Sequence, residues 1–177
     1  METNKKNQAN LLAREYITTA LIKLTKEKPL SSISVSELTE KAGVSRMTYY
    51  RNYSSKEEIL RSYMDRIVTA YREDLDKMKT PKTYGSYDRI LHCFRYFEKY
   101  QDFLNCLLKI GVGNILLNAL SSYLLDTYYK DSSDITLYYT LQAYAGALFN
   151  IYMAWMKNGA KESVEELAAI VQKAHQR

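Results

Sequence analysis

The chain has 177 residues, 46% of them hydrophobic and 25% charged, so it is long enough to bury a core and too apolar to be disordered. Its 17 tyrosines, two prolines and six glycines favour an all-α fold. The net charge is +5, and the whole excess lies in residues 1–56. This asymmetry suggests an anionic partner for the first third of the chain, although solubility alone would also explain it.

The first third begins with a predicted helix over residues 7–26, where apolar side chains recur at helical spacing, and Pro29 predicts its end. A short helix over residues 35–42 should follow a capping box, in which Ser34 and Glu37 accept hydrogen bonds from each other's backbone amides. Gly43 should close this helix in the left-handed conformation.

A third helix is predicted over residues 46–52, with Ser45 as its N-cap. Two short helices joined by a tight turn after a longer helix are a helix-turn-helix candidate. Tyr49 and Tyr53 are assigned to the core. The remaining side chains are suited to DNA. Arginine can hydrogen-bond guanine, asparagine can pair with adenine, and apolar groups can contact the thymine methyl group. Hydroxyl and ammonium groups can bind phosphate. We expect DNA contacts from Ser36, Ser45, Arg46, Met47, Thr48, Tyr50, Arg51, Asn52 and Lys56.

The rest of the chain reads as helices throughout. Two overlapping capping boxes in residues 54–58 predict a long helix with Leu60, Met64, Ile67 and Tyr71 on its buried side, and residues 80–86 read as a linker. Further helices are predicted at 87–100, 101–109, 114–129, 133–157 and 163–175. We find no catalytic constellation and no metal-ligand spacing, so we expect neither an enzyme nor a metal or cofactor site.

Residues 135–156 carry no charge and are long enough to cross a bilayer. Polar residues and tyrosines are spread along this segment rather than gathered at its ends, which favours a buried helix. It would be buried all round, or covered by its own domain on one face and by a second subunit on the other. Cys93 and Cys106 read as buried free thiols, and with no secretory signal at the N-terminus we expect a cytoplasmic protein without membrane partners.

Residues 34–60, SVSELTEKAGVSRMTYYRNYSSKEEIL, resemble the DNA-binding segment of TetR-type (TetR/AcrR) transcriptional regulators. The matching features are the turn over residues 42–45, Thr48, the aromatic residues Tyr50 and Tyr53, and the Lys-Glu pair at residues 56–57. Many members have an aromatic residue or histidine near the positions of Arg51 and Asn52, so the operator cannot be taken from a relative.

The resemblance implies an N-terminal three-helix helix-turn-helix DNA-binding domain, residues 1–54, joined to a helical effector-binding and dimerisation domain, residues 55–177. It implies a homodimer on a pseudo-palindromic DNA operator, formed by the last two helices, and small residues such as Ala143, Gly146 and Ala147 would allow close approach. Whether the regulator represses, in response to a ligand, or activates is left open. The predicted dimerisation residues are Leu141, Ala145, Leu148, Tyr152, Trp155, Leu167 and Val171.

A pocket for a small apolar or aromatic effector is also implied. An aromatic stripe at helical spacing is more often part of an ordinary core. The predicted lining residues are Tyr63, Phe94, Phe97, Tyr100, Phe103, Leu107 and Tyr144. An alternative function is a helical protein- or membrane-interaction module with an accessory basic N-terminal region.

Overall fold

The computed structural model describes residues 2–78 and 83–175, with side chains from residue 7 onwards. The described part of the chain contains nine α-helices, one short 3₁₀ helix and no strand, which confirms the all-α prediction. Of the predicted linker, residues 80–82 lie outside these ranges. The helices are α1 Glu2–Glu27, α2 Val35–Ala42, α3 Arg46–Asn52, α4 Lys56–Asp76, α5 Tyr87–Glu98, α6 Gln101–Lys109, α7 Asn114–Tyr128, α8 Ile135–Lys157 and α9 Val164–His175, and the 3₁₀ helix is Leu30–Ser32.

Both ends of α2 are fixed by local interactions. The Ser34 hydroxyl accepts from the Glu37 amide at 3.2 Å, and Gly43 ends α2 at a φ of 65°. The Glu37 carboxylate does not return to the Ser34 amide as predicted, because Lys28 lies 2.6 Å away and pairs with it. A full positive charge is the stronger partner, and it holds the pKa of Glu37 below its usual range.

The start of α4 is fixed in the same way. The Ser55 hydroxyl accepts from the Glu58 amide at 3.1 Å, and the Glu58 carboxylate accepts from the Ser54 amide at 2.6 Å. Ser55 is therefore the N-cap of α4, and the Glu58 carboxylate binds the Ser54 amide rather than the Ser55 amide that the predicted capping box requires. This cap sets the direction of α4 directly after α3.

One hydrophobic core runs through the described chain. In the N-terminal part α1 packs on α2 and α4, while α7 packs on α8 and α5 on α9 in the C-terminal part. The last turns of α1 also reach α6, where the Thr25 hydroxyl lies 3.0 Å from the Cys106 sulfur and Lys26 pairs with Asp102 at 3.3 Å. The helix-turn-helix is thus attached to the rest of the molecule through both α1 and α4.

None of the helices in residues 2–78 and 83–175 is long and apolar enough to cross a membrane. Helix α8, which is uncharged over residues 135–156, is buried on one face only, since Leu141 and Ala145 are fully covered whereas Tyr139 is 65% exposed.

Candidate DNA-binding surface and ligand cavity

Helix α3 has a buried side and an exposed side that follow its 3.6-residue period. Tyr49 and Tyr53 are 2% and 3% exposed, as predicted for core residues, whereas Met47 and Tyr50 are 76% and 62% exposed. The rings of Tyr49 and Tyr50 meet edge to face at 5.2 Å. The exposed Met47 side chain leaves an apolar group free to contact a base edge such as the thymine methyl group.

The first and last turns of α3 are held by its own polar side chains. The Ser45 hydroxyl accepts from the Thr48 amide at 3.1 Å and lies 3.0 Å from the Thr48 hydroxyl. The Asn52 side-chain amide donates to the Thr48 carbonyl at 2.8 Å. One Asn52 N–H is therefore committed within the helix, which leaves its second N–H and its carbonyl oxygen for another partner.

The positive charge of the N-terminal third is only partly neutralised. Lys28 pairs with Glu37, and Lys41 pairs with Glu27 at 3.0 Å. Arg46 and Arg51 are exposed and form no ion pair with any residue that the structure describes. Two uncompensated charges therefore lie on the exposed side of α3, where arginine can bind guanine or phosphate.

Lys56 has a different environment from the arginines. It is half-buried, and its ammonium donates to the carbonyls of Leu30 and Ile33, each at 2.6 Å. Lys56 thus holds the segment that precedes α2, with one N–H left for a phosphate. Ser36, the other predicted phosphate contact outside α3, is half-buried in the first turn of α2.

Arg14 on α1 is a positioning residue that the sequence did not reveal. Its guanidinium donates to the Tyr53 hydroxyl at 3.2 Å and to the Ser62 hydroxyl, and it lies 5.4 Å from the centre of the Tyr53 ring. It joins α1, the end of α3 and α4. Its partners are 39 and 48 residues away along the chain, so no local pattern marks it.

Comparison with known proteins matches both parts of this architecture. The family model described as "Bacterial regulatory proteins, tetR family" matches residues 17–63, and the TetR-family model described as "Transcriptional regulator C-terminal region" matches residues 86–176. The chain belongs to the TetR family of transcriptional regulators.

Individual relatives of this TetR-family chain are distant. The regulator EthR of Mycobacterium tuberculosis is 44% identical over 45 residues, which is 25% of this chain and 21% of EthR. Lin0861 from Listeria innocua has a TM-score of 0.80 at 16% identity, over 96% of this chain and 92% of its own. The FadR regulator of Bacillus subtilis, solved with stearoyl-CoA, has a TM-score of 0.59 at 20% identity, over 91% and 96%.

The C-terminal part of this TetR-family fold contains two small adjoining apolar cavities, of about 30 and about 20 Å³. Among the predicted lining residues, Phe97 and Tyr144 line the larger cavity, and Phe94 and Phe97 line the smaller one. The larger cavity is lined by Val68, Tyr71, Tyr84, Gly85, Arg89, Ile90, Cys93, Phe97, Leu116, Ala119, Leu120, Tyr123, Leu124, Tyr128, Tyr144 and Leu148.

The other four predicted lining residues lie outside both cavities. Tyr63, Tyr100 and Phe103 form a separate cluster, in which the Tyr63 ring is 4.7 Å from Phe103 and 6.4 Å from Tyr100. Leu107 is completely buried in the core. The helical spacing of these aromatic residues identified an apolar face correctly but could not show which neighbouring helix fills the space beside it.

Arg89 and most of the tyrosines that line the larger cavity were not predicted from the sequence. Arg89 is only 9% exposed, on the face of α5 that carries Cys93 and Phe97. Burial raises the pKa of the Cys93 thiol to about 12, so this thiol stays protonated and unreactive. Arg89, Cys93 and Phe97 are four residues apart on α5, so the sequence could have placed them on one helix face. A single arginine is nevertheless expected at the surface, and its burial could not be predicted.

The seven predicted dimerisation residues do not lie on a free surface. None of them is more than 7% exposed, because α8 packs on α7 and α9 packs on α5. They are therefore part of the core of the monomer, and this part of the prediction is corrected. They are Leu141, Ala145, Leu148, Tyr152, Trp155, Leu167 and Val171.

The opposite face of α8 is exposed, and between Tyr139 and Lys157 its exposed residues have small, uncharged side chains. Ala143, Ala147, Asn150 and Ala154 recur at helical spacing along it. A Cβ added at Gly146 would meet nothing within 4 Å. On α9, Ile170 is 55% exposed.

Proposed function

We propose that this TetR-family regulator binds an operator in double-stranded DNA and reads its sequence with α3. The observation that best supports this proposal is the exposed side of α3, which presents two arginines without ion pairs and the large side chains of Met47 and Tyr50. Tyr49 and Tyr53 anchor the helix in the core. Arg46 and Arg51 would contact guanine or phosphate, and Met47, Thr48 and Tyr50 would contact base edges or the backbone. Ser36, Ser45 and Asn52 would add contacts at its margins, and Lys56 would mainly hold the segment before α2 in place.

The regulator acts as a homodimer in this proposal, and the exposed face of α8 with the exposed side of α9 forms the interface. Small side chains such as Ala143, Gly146 and Ala147 let two helices approach closely. An uncharged exposed helical face in a protein with 25% charged residues is best explained by burial against a second copy. Two-fold symmetry then pairs two α3 helices with two halves of a pseudo-palindromic operator.

The regulator responds to a small molecule in the cavities, and α4 carries the response. Helix α4 begins at Lys56 beside α3 and lines the larger cavity with Val68 and Tyr71. A ligand acts only through its different affinity for the DNA-binding and released states. The FadR regulator was solved in complex with stearoyl-CoA, and another structural relative, DhaS, is a dihydroxyacetone kinase operon activator. Ligand binding and activation therefore both have precedents in this fold. For this chain we propose that the regulator is a repressor. We also propose that it acts in the cytoplasm and has no enzymatic activity.

Selection of bound duplexes from a random pool by the purified protein tests the proposal. We expect an inverted repeat whose half-sites are about 10 base pairs apart, or a multiple of that spacing. Affinity for it should fall steeply as salt rises, since phosphate contacts release counterions. A scrambled duplex of the same composition is the control. Folded protein that enriches no sequence would contradict the proposal.

A further inference from the structure

An open groove lies on the outside of the molecule between α4 and α7. Its space is about 600 Å³, against about 30 Å³ in the larger inner cavity. Sites for small molecules commonly have volumes of about 300–1,000 Å³. On α4 the groove extends from Arg61 to Arg72, which is about 16 Å of helix. We call this space the α4–α7 groove.

The floor of the α4–α7 groove is apolar. It is formed by side chains from both helices, which are Met64, Val68, Ile115, Ala119 and Tyr123. Val68 and Ala119 are only half-buried, so part of the floor is accessible from the groove. An accessible apolar floor between two helices favours a ligand with a hydrocarbon part that can cover it.

The rims of the α4–α7 groove are polar, with side chains one helical turn apart. Helix α4 contributes Arg61, Asp65 and Thr69, and α7 contributes Asn114, Asn118 and Ser122. The Thr69 hydroxyl donates to the Asp65 carbonyl at 2.8 Å. The other five side chains form no hydrogen bond with any residue that the structure describes, so their polar atoms are available to a ligand.

The charged side chains of the groove leave one charge of each sign unmatched. At one end Arg72 pairs with Asp126 at 2.7 Å. Arg61 and Asp65 are exposed and form no ion pair with each other or with another described residue. An arginine that precedes its acidic neighbour by one turn is in the less favourable order for pairing on a helix. A ligand with a single charge would match only one of these groups, whereas a zwitterion matches both.

We propose that the α4–α7 groove binds an α-amino acid with a large apolar side chain. Arg61 binds the carboxylate, Asp65 binds the ammonium group, and Asn114 and Asn118 on the opposite rim form hydrogen bonds with the same two groups. The apolar side chain of the ligand lies on the floor toward Tyr123. Such a ligand ties α4, which begins beside α3, to α7. The groove lies outside the inner cavities, so this site goes beyond the proposed response in them.

NMR titration of the full isotope-labelled chain without DNA tests the inference with three probes. L-phenylalanine carries both charged groups, 3-phenylpropanoate lacks the ammonium group, and 2-phenylethylamine lacks the carboxylate. We expect L-phenylalanine to shift the amide signals of α4 and α7. It should bind at least about threefold more tightly than either analogue, because each analogue loses one ion pair at the protein surface.

Two variants assign the two charged groups of the ligand. Arg61→Gln should remove the preference for L-phenylalanine over 2-phenylethylamine, and Asp65→Asn should remove the preference over 3-phenylpropanoate. Both positions are exposed, so both variants should fold like the wild type. The matched controls are Arg95→Gln and Asp88→Asn, the same changes at exposed positions of α5, and they should keep both preferences.

Several results would overturn the inference. They are no binding of L-phenylalanine, an equal affinity for either analogue, or a preference that survives in the variant expected to remove it. Amide signals that shift only outside α4 and α7 would also overturn it, because they would place the ligand elsewhere. Operator binding is tested separately by duplex selection, so it would stand or fall independently of these results.

Discussion

At the scale of single residues, three positively charged side chains close together in the sequence differ in exposure and in hydrogen bonding. Arg46 and Arg51 are exposed on α3, whereas the Lys56 ammonium donates to two carbonyls at 2.6 Å. An ammonium with two protein partners contributes to stability through charge-assisted hydrogen bonds and has little left for DNA. The sequence alone treats all three as surface charges, because the carbonyl partners of Lys56 are not visible in it.

Replacing Lys56 should therefore affect folding more than DNA contacts. In Lys56→Met, we expect the free energy of unfolding in urea to fall by about 1–3 kcal/mol. The slope of operator affinity against salt should stay at the wild-type value, whereas losing a phosphate contact would lower it by about 1. Lys23→Met, at an exposed position on α1, is the control and should leave stability unchanged. Unchanged stability with a reduced salt slope would show that Lys56 serves as a phosphate contact instead.

At the scale of helices, α3 is positioned by its neighbours as much as by its own sequence. Arg14 connects α1 to Tyr53 at the end of α3 and to Ser62 on α4. Tyr49 and Tyr53 pack into the core, with their ring centres 6.4 Å apart. The angle at which α3 meets DNA therefore depends on contacts with α1 and α4.

Removing the Arg14 contacts should loosen α3 without changing which bases it reads. In Arg14→Met, we expect weaker operator binding with the same base preferences, and a loss of about 1–2 kcal/mol in the free energy of unfolding. Binding to a panel of single-base operator variants, together with urea unfolding, measures both effects. Exposed Arg61 on α4 provides the control, as Arg61→Met should change neither quantity. A changed base preference in Arg14→Met would show that Arg14 itself contacts DNA.

The helices themselves could be predicted because their signals are local. Ser34, Ser45 and Ser55 each accept a hydrogen bond from the amide three residues later, so three helix starts could be located within a residue. The 3₁₀ helix at Leu30–Ser32 has no such signal and was missed. Local patterns thus predicted the elements well.

The arrangement of the helices was harder to predict. Helix α8 has one stripe with Leu141 and Ala145 and another with Ala143 and Ala147, and periodicity cannot tell which one faces the core. The larger side chains were assigned to a partner subunit, yet they pack on the helices of their own chain. Arg89 was missed for a similar reason, since burial of a single arginine depends on several helices at once.

At the scale of the whole molecule, α4 connects the two parts that the proposal needs. From Lys56 to Tyr71, α4 extends about 22 Å from the helix-turn-helix to the larger cavity. A shift of α4 at the cavity would change the separation of the two α3 helices in a dimer. The proposal also requires a dimer interface, which must hold the two subunits, and so the two α3 helices, at a fixed distance. The exposed face of α8 would provide it.

A charge placed on the exposed face of α8 should separate the subunits. In Ala147→Glu, we expect monomers in sedimentation velocity at concentrations where the wild type is dimeric, since an unpaired carboxylate would be buried at the interface. Circular dichroism should show the same helix content, because Ala147 is exposed in the monomer. Ala70→Glu, at an exposed alanine on α4, is the control and should remain dimeric. A dimeric Ala147→Glu would place the interface elsewhere.

The most direct test of the central claim compares the affinity for the selected operator at constant salt between wild type and Arg46→Ala/Arg51→Ala. The control is Lys77→Ala/Lys161→Ala, which removes the same charge at exposed positions outside the N-terminal third. Because each base-reading arginine contributes about 1–3 kcal/mol, the arginine variant should bind at least about 30-fold more weakly and lose its preference for the operator over a scrambled duplex. The lysine variant should bind within about threefold of the wild type, since it loses only long-range attraction. Equal losses in the two variants, or operator preference kept in the arginine variant, would contradict the claim that α3 reads the DNA sequence.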